Sequence, residues 1–404
     1  MNLREYKTVK ERREAVEKSL GVVLPSIGAS YASEKIASKR NCENMIGITQ
    51  APLGIAGPLR FASISNTQSP MTNVYIPLAT TEGALVASIS RGCKAITESG
   101  GAMVGSHRVG ATRGPVFRVK DLIESERFYR YLKDHLSDFQ KVALQTSHHL
   151  TLEKLLTRGV GRYRYVRFVF DTKDAMGMNM VTIATQALTE YIEKETGIPC
   201  LALAGNFDID KKPAWLNFIE NRGIKVWAEV TISSSVLKSV LKTTAQKIYD
   251  VWLAKCMVGS ALSGSMGFNA QYANVAAAIF LAAGQDLGHV GEASIGITIC
   301  EVVKNKKSKI KDQRFDEGLY VSICLPDLMV GTVGGGTGLA TQREALSIMG
   351  VQGGSLPGKE GENSVIFAEI IGGAVLAGEI SLLASLSTGT LSLSHQSLAR
   401  GEKV

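Results

Sequence analysis

The spacing of apolar residues along the chain changes period several times, and each change marks an element. YRYVRFVFD at 163–171 and KVWAEVTI at 225–232 alternate apolar with polar residues, the pattern of half-buried strands. Helical spacing runs through about Thr81–Ser99 and stops at Gly100-Gly101, a plausible C-terminal signal. SERFYRYLKDHLSDF reads as one charged helix, TIATQALTEYIEKETG as another, and SVLKSVLKTTAQKIYDVWLAK as a single long one. Residues 1–40 read as a small helical arm, and QTSHHLTLEK places His148 and His149 on a surface helix. NMIGITQAPLGIAGPL, punctuated by Gly and Pro, predicts an irregular loop. NVAAAIFLAAGQ and IIGGAVLAGEISLLASL are apolar but broken by polar residues. They are expected to fall short of the roughly 20 apolar residues of a membrane span and to form buried core helices.

Between about 115 and 202 the order β-α-β-α predicts a compact sheet-plus-helix module inserted in a larger α/β domain. The expected division is an arm at 1–40, a large domain at 41–114 and 203–404, and a small domain at 115–202. A length of 404 residues with 45% hydrophobic and 20% charged content fits several globular units and excludes a disordered chain. The net charge of +8 lies in short runs such as KNKKSKIK, and aromatic residues are only 6%. That combination disfavours a nucleic-acid groove and favours an anionic small molecule as ligand. Six cysteines without a C-x-x-C pair argue against zinc or a disulfide framework. The charged N-terminus is neither a signal peptide nor a membrane span, so the expected location is cytoplasmic.

Candidate chemistry is scattered. Glu82 stands at a helix start, where the macrodipole alone would favour a carboxylate. Asp286 follows an apolar run and needs a partner. Lys211 and Lys212 read locally as a solvated turn. His395 follows a Gly-Thr break, and His107 and His289 have no obvious partners. No spaced set of ligands predicts a metal. DTKDAMGMNMVTIATQ at 171–186 contains no G-x-G-x-x-G, so it is either Met-filled core at a helix start or a ligand loop. GTVGGGTG has the spacing of neither a P-loop nor a Rossmann turn. From residues alone the chain is a multi-domain α/β protein with Glu, Lys, Asp and His available for catalysis.

In order, ENMIGITQAPLGIAGPL, ATTEGALVASISRGCKAI, GATRGPV, DAMGMNM, DKKPAWLNFIENRG, VLKTT, GFNAQYANVAAAIFLAAGQD, GTVGGGTGLATQREAL and LAGEISLLASLSTGTLSLSH resemble the 3-hydroxy-3-methylglutaryl-coenzyme A (HMG-CoA) reductase family. The likeness spans nearly everything after residue 40. DAMGMN is similar to the class I form shared by eukaryotes, archaea and some bacteria, here without the membrane anchor typical of the eukaryotic enzymes. The resemblance implies a large substrate and dimerisation domain, an inserted ferredoxin-like cofactor domain and non-Rossmann cofactor binding. It also implies an obligate homodimer, or a tetramer built from two such dimers, with sites across the subunit interface.

The implied activity is reduction of HMG-CoA to mevalonate and coenzyme A by two NADPH, with NADH as the other candidate cofactor. Motif positions put the catalytic roles on Glu82, Lys211, Asp286 and His395. Lys211 would stabilise the alkoxide, and Glu82, buried near Asp286, would donate a proton. Asp286 would hold both, and His395 would protonate the departing thiolate. Arg113, Asp210, Lys212 and Asn274 would grip the acyl group, while Ser88, Arg91, Lys94, Lys242 and Ser394 would meet coenzyme A. Arg127, Asp174, Met176, Gly177, Met178 and Asn179 would bind the cofactor. Three places depart from the family pattern. Glu126 replaces a serine near the expected 2′-phosphate, with Lys173 replacing a nearby glycine; Ala204 replaces a substrate-contacting serine; and DLGHV differs from the usual Gln-Asn-Val ending. Glu126 motivates a rival reading, NAD-dependent oxidation of mevalonate; a second rival is a silent acyl-CoA-binding paralogue.

Overall fold

A computed structural model describes residues 6, 9–25, 33–41, 49–65, 70–304 and 317–390. Its strands are β1 (Leu53–Ser63), β2 (Thr72–Ala79), β3 (Ala102–Arg113), β4 (Val116–Arg118), β5 (Thr151–Val160), β6 (Tyr163–Asp171), β7 (Cys200–Ala202), β8 (Arg222–Ile232), β9 (Gly267–Phe268), β10 (Gly296–Lys304) and β11 (Glu317–Leu328). They join in the order β7-β4-β6-β3-β8-β11-β10-β9, with β1 pairing to β2 and β3, and β5 to β6. β3 is the link. Its first part, Met103–Gly110, is antiparallel to β8, and its last residues, Ala111–Arg113, are antiparallel to β6.

Two apolar cores follow from this arrangement. The larger fills the space between β1–β3, β8, β10 and β11 and the helices Leu85–Glu98, Tyr272–Ala283 and Glu362–Thr388. The smaller gathers Phe117, Phe128, Phe139, Phe168, Phe170 and Leu188 from the 115–202 region, and Met329 enters it from the large part.

The alternating strings are β6 and the body of β8, as their period requires. β5 escapes that reading because it is an edge strand paired only with β6, and most of its residues are exposed or half-buried. The loop expected around 44–59 is strand from Leu53 onward, and Gly57 and Pro58 fall at a register shift between Ala56 and Leu59. The charged helix is two, Leu122–Asp134 and Leu136–Thr146, hinged at His135. His148 and His149 are exposed, as expected, but they lie in the turn before β5 rather than on a helix. The expected long helix is broken: Ser234–Ser239 ends before Lys242, whose φ is 59°, and Thr244 caps Ala245–Trp252 by accepting from Lys247 N. A π-helical turn, Leu253–Gly259, follows.

The apolar stretch near the end forms a helix of 27 residues, Glu362–Thr388, with a mean hydropathy of 1.8 over its most apolar window. Contrary to the sequence estimate it is long and apolar enough to cross a membrane. It is nonetheless mostly buried, packed on β3, β8, β11 and three helices. Its closest crossing is with Leu85–Glu98 at Gly92, where a Cβ would come within 1.9 Å of Ala377 O, so only glycine allows the contact. Glu369 on this helix accepts from Ser63 Oγ at 2.9 Å and Ser106 Oγ at 2.8 Å. Burial raises its pKa above 4.5, against the lowering effect of the serine hydroxyls.

A raised folded-state value means that folding takes up a proton, so stability falls as pH rises from 4.5 through the raised value. Glu369→Gln keeps an acceptor for the hydroxyls and does not titrate. Between pH ~4.5 and ~7 the parent's melting temperature should therefore fall relative to the variant's by a few degrees. Thermal denaturation across that range would show it, and parallel curves would refute it.

Candidate active site

Two loops, the first of them strained, bring the first pair together. In the polar loop after β7, Asn206, Ile209 and Lys211 have φ of 63°, 53° and 60°. Such values in non-glycine residues persist where the surroundings hold them, and they concentrate at functional sites. Asp286 follows the helix Tyr272–Ala283 and accepts from Gly288 N at 2.9 Å. Lys211 Nζ then lies 2.7 Å from Asp286 Oδ2. The lysine stem crosses Gly288 so closely that a Cβ there would be 2.7 Å from its Cδ. Burial opposes the charge of Asp286, but the Lys211 and Gly288 hydrogen bonds outweigh it and hold the carboxyl below its ordinary 3.8.

Beneath this pair runs a buried charge network that sequence reading did not find. Glu292 accepts from the backbone N–H of Lys211, from Arg222 Nη1 at 2.8 and 2.7 Å, and from His289 Nδ1 at 2.9 Å. Arg222, at the start of β8, also donates to Asp210 Oδ1 at 3.0 Å and to Thr112 Oγ1 at 2.7 Å. Burial works against its charge, and Glu292, Asp327 and Asp210 outweigh that to raise its pKa. Arg113, at the end of β3, lies 3.3 Å from Asp208 and 3.4 Å from Asp210, and donates to Thr182 Oγ1 at 2.8 Å. Lys212 Nζ donates to Asp210 O at 3.0 Å. Arg113, Asp210 and Lys212 are thus brought together around one loop, next to Lys211. Asp210, His289 and Glu292 offer ligand atoms within 4.8 Å of one another, but the Arg222 guanidinium already stands against Glu292 and Asp210, where a metal ion would need to be.

Glu82 is placed differently from expectation. It is exposed in the turn before the helix Leu85–Glu98, where its N–H donates to Thr80 Oγ1 at 2.9 Å. Its Oε1 accepts from Asn274 Nδ2 at 3.4 Å, and among the described residues it is bonded to neither Lys211 nor Asp286. A turn at the surface cannot bury the carboxylate by itself. His395 and Ser394 lie outside the described residues.

Beside the loop opens a cavity of about 660 Å³ lined by Pro213, Lys255, Ser260, Ser263, Ser265 and Asn269. Lys255 supplies its positive charge. Sequence reading passed over it because it looked like one more residue of a continuous helix, whereas it stands on the π-helical turn.

The candidates for coenzyme A divide. Ser88 Oγ meets Ser381 Oγ at 2.9 Å, and Arg91 donates to Ser381 Oγ at 3.0 Å, Ser381 O at 2.6 Å and Ser385 Oγ at 2.5 Å. These two residues fasten the helices together, so the guanidinium is already committed. Lys94 and Lys242 are exposed, Lys94 with only a 3.7 Å contact to Glu98.

The DAMGMN segment proves to be both anchor and surface. Asp174 is buried and accepts from Ser355 N and Oγ at 2.8 and 2.9 Å, and from Gly361 N and Ser364 N at 3.1 Å each. With its oxygens filled by protein donors, it holds the loop in place. Met178 is core, with Arg222 Nη2 at 3.3 Å from its sulfur. Met176 and Gly177 are half-buried, Asn179 is exposed, and Ala175 bridges in parallel to Val333 of the GTVGGGTG turn. Arg127 is exposed. Glu126 pairs with Arg130 at 3.2 Å and Lys173 with Asp171 at 2.5 Å, so each unusual residue has its own partner.

Comparison with known proteins gives one family. The hydroxymethylglutaryl-coenzyme A reductase profile matches residues 8–400. The 3-hydroxy-3-methylglutaryl-coenzyme A reductase of Methanothermobacter thermautotrophicus is 45% identical over 394 residues, 97% of this chain and 94% of that protein. The enzyme of the same name from Methanocaldococcus jannaschii is 44% identical over 397 residues, 96% and 92% of the two chains. Among solved structures, a class II 3-hydroxy-3-methylglutaryl-CoA reductase from Streptococcus pneumoniae, bound to NADPH in open conformations, superposes with a TM-score of 0.71. It is 19% identical and covers 95% of this chain and 98% of its own, so the fold is shared.

Proposed function

Because the chain belongs to the hydroxymethylglutaryl-coenzyme A reductase family, we propose that it reduces HMG-CoA to mevalonate and free coenzyme A with NADPH. The observation that carries the mechanism is the Lys211–Asp286 pair at 2.7 Å, next to a cavity lined by Lys255. A thioester carbonyl gains negative charge on oxygen as it is reduced. Lys211, held by Asp286 and by its own backbone bond to Glu292, offers a cation to that oxygen. Lys255, Arg113 and Lys212 supply positive charge for the acyl carboxylate. Glu82, whose Oε1 accepts from Asn274 Nδ2 at 3.4 Å, donates the proton when the aldehyde is reduced. His395 protonates the departing thiolate.

The residues of the small part suit an anionic dinucleotide. The helix Met178–Thr196 starts at left-handed Gly177 (φ 84°), so its first N–H groups are free of helix partners, and Arg127 and Asn179 are exposed. Two NADPH, bound in turn, would supply one hydride each. The 115–202 region, with its own core, acts as a ferredoxin-like, non-Rossmann cofactor domain inserted in the large one. Exposure of Glu82 in a single chain supports a homodimer that closes the site, as does exposure of Leu253, Val258, Leu262 and Leu287. Lys94 and Lys242 are the cations free to meet coenzyme A phosphates.

The test is direct. Purified protein given the HMG thioester should oxidise two NADPH for each coenzyme A released. No oxidation of either NADPH or NADH would end this reading.

A further inference from the structure

His289 belongs to the segment DLGHV, where the chain departs from its family's pattern, and no step above uses it. Its ring is fully buried. Glu292 is already the acceptor for Arg222 and for the Lys211 N–H, so Nδ1, 2.9 Å from Glu292 Oε2, carries the hydrogen of that bond. The opposite nitrogen, Nε2, has no hydrogen-bond partner. Its charged neighbours are Asp210 Oδ1 at 3.9 Å and Asp286 Oδ2 at 4.0 Å, the latter being the same oxygen that holds Lys211. A buried polar atom without a partner is costly and calls for an explanation.

We propose that His289 is a positioning residue: its Nε2–H takes over Asp286 when the Lys211 ammonium turns from that carboxylate to the substrate oxygen. The proposal rests on the reductase reading. The Lys211 ammonium has three N–H groups, but leaning toward the developing oxyanion lengthens its 2.7 Å contact with Asp286. A carboxylate left bare would draw the ammonium back and weaken its hold on the substrate. The 4.0 Å gap is about 1 Å beyond a hydrogen bond, within reach of a small rotation of the ring about its Glu292 contact. Every charged group facing the ring fits this exchange. Glu292 stands on its own turn, Asp286 on the preceding loop, and Asp210 and Lys211 on the loop after β7. Arg222 on β8 and Asp327 on β11 stand behind Glu292. Carboxylates thus stand on both sides of the imidazole, one within hydrogen-bond distance of Nδ1 and two about 4 Å from Nε2.

The two amide variants separate the two nitrogens. Asparagine at 289 can keep the bond to Glu292 but does not reach Asp286, whereas glutamine can reach it. In the full-length enzyme, H289N should fold normally by circular dichroism and lose about tenfold in kcat with little change in KM; H289Q should recover most of the loss. Equal kcat in the two variants, or parental kcat in H289N, would overturn the proposal. If neither variant folds, 15N NMR of histidine in the unaltered protein decides. A protonated Nε2 whose signal moves when HMG-CoA is added without cofactor supports the exchange; an unprotonated or unresponsive Nε2 sinks it. This readout needs no turnover, so it fails separately from the reductase assay.

Discussion

Lys211→Ala is expected to lower kcat by about 10²–10³-fold, with a much smaller change in KM for the thioester. In the proposed mechanism the ammonium would meet the developing charge, and it is held from two sides, by Asp286 at 2.7 Å and by the backbone bond to Glu292. Alanine removes the cation and leaves Asp286 facing the reacting oxygen, so like charges meet in the transition state. Lys211→Arg should rescue little. A planar fork does not fit the narrow passage over Gly288, where the lysine stem already lies 2.7 Å from the position of a Cβ. Single-turnover measurement of the first reduction would check this, and a loss smaller than tenfold in the alanine variant would refute the role.

The second large effect falls on stability. Arg222→Ala should destabilise the fold by about 3–5 kcal/mol, because it strips a fully buried cation from Glu292 and Asp210 and leaves Glu292 buried and uncompensated. Asp327 aggravates the loss. Burial and the neighbouring Glu292 already push it well above the ordinary carboxylate range, with Arg222 pulling the other way. Replacing Arg222 by Met together with Glu292 by Leu should restore part of that stability, since the two directly paired charges are then removed together. The double variant should nevertheless remain inactive, since the Lys211 N–H and His289 lose their acceptor. Denaturant midpoints of the parent and both variants would show the order. A single variant within about 1 kcal/mol of the parent would contradict it.

Much of this was legible in the chain where the signal is local. β8 declares itself by alternation because one of its faces is buried, whereas β6 alternates although its residues 166–170 are all buried; the loop of Lys211 and Lys212 reads locally as a solvated turn and is singled out only by the family resemblance. What escaped depends on contacts distant in sequence. The Arg222–Glu292 bond joins residues 70 positions apart, and neither residue stands in a string that suggests burial. Lys255 is hidden by a helix pattern that the π-helical turn interrupts. Asp174 sits in a segment that resembles a cofactor loop, yet its donors come from residues 355–364, about 180 positions later. The breaks at His135 and Lys242 are single-residue events that no periodicity records. The fate of Glu82 is a different case: its motif named it, but the burial expected of it is not provided by one chain.

The helix Glu362–Thr388 has a consequence for how the protein comes to be. Every described strand precedes it in the chain, yet β3, β8 and β11 all rest against it, and it fills the middle of the larger core. During synthesis the sheet can form its hairpins but cannot close its interior until this last large element has left the ribosome. The nascent chain therefore exposes an apolar sheet face for most of its elongation, and then presents a stretch as apolar as a membrane segment just when it must be captured. Yield in a cell should accordingly depend on the rate of translation through these final codons and on chaperone supply more than on the stability of the finished molecule.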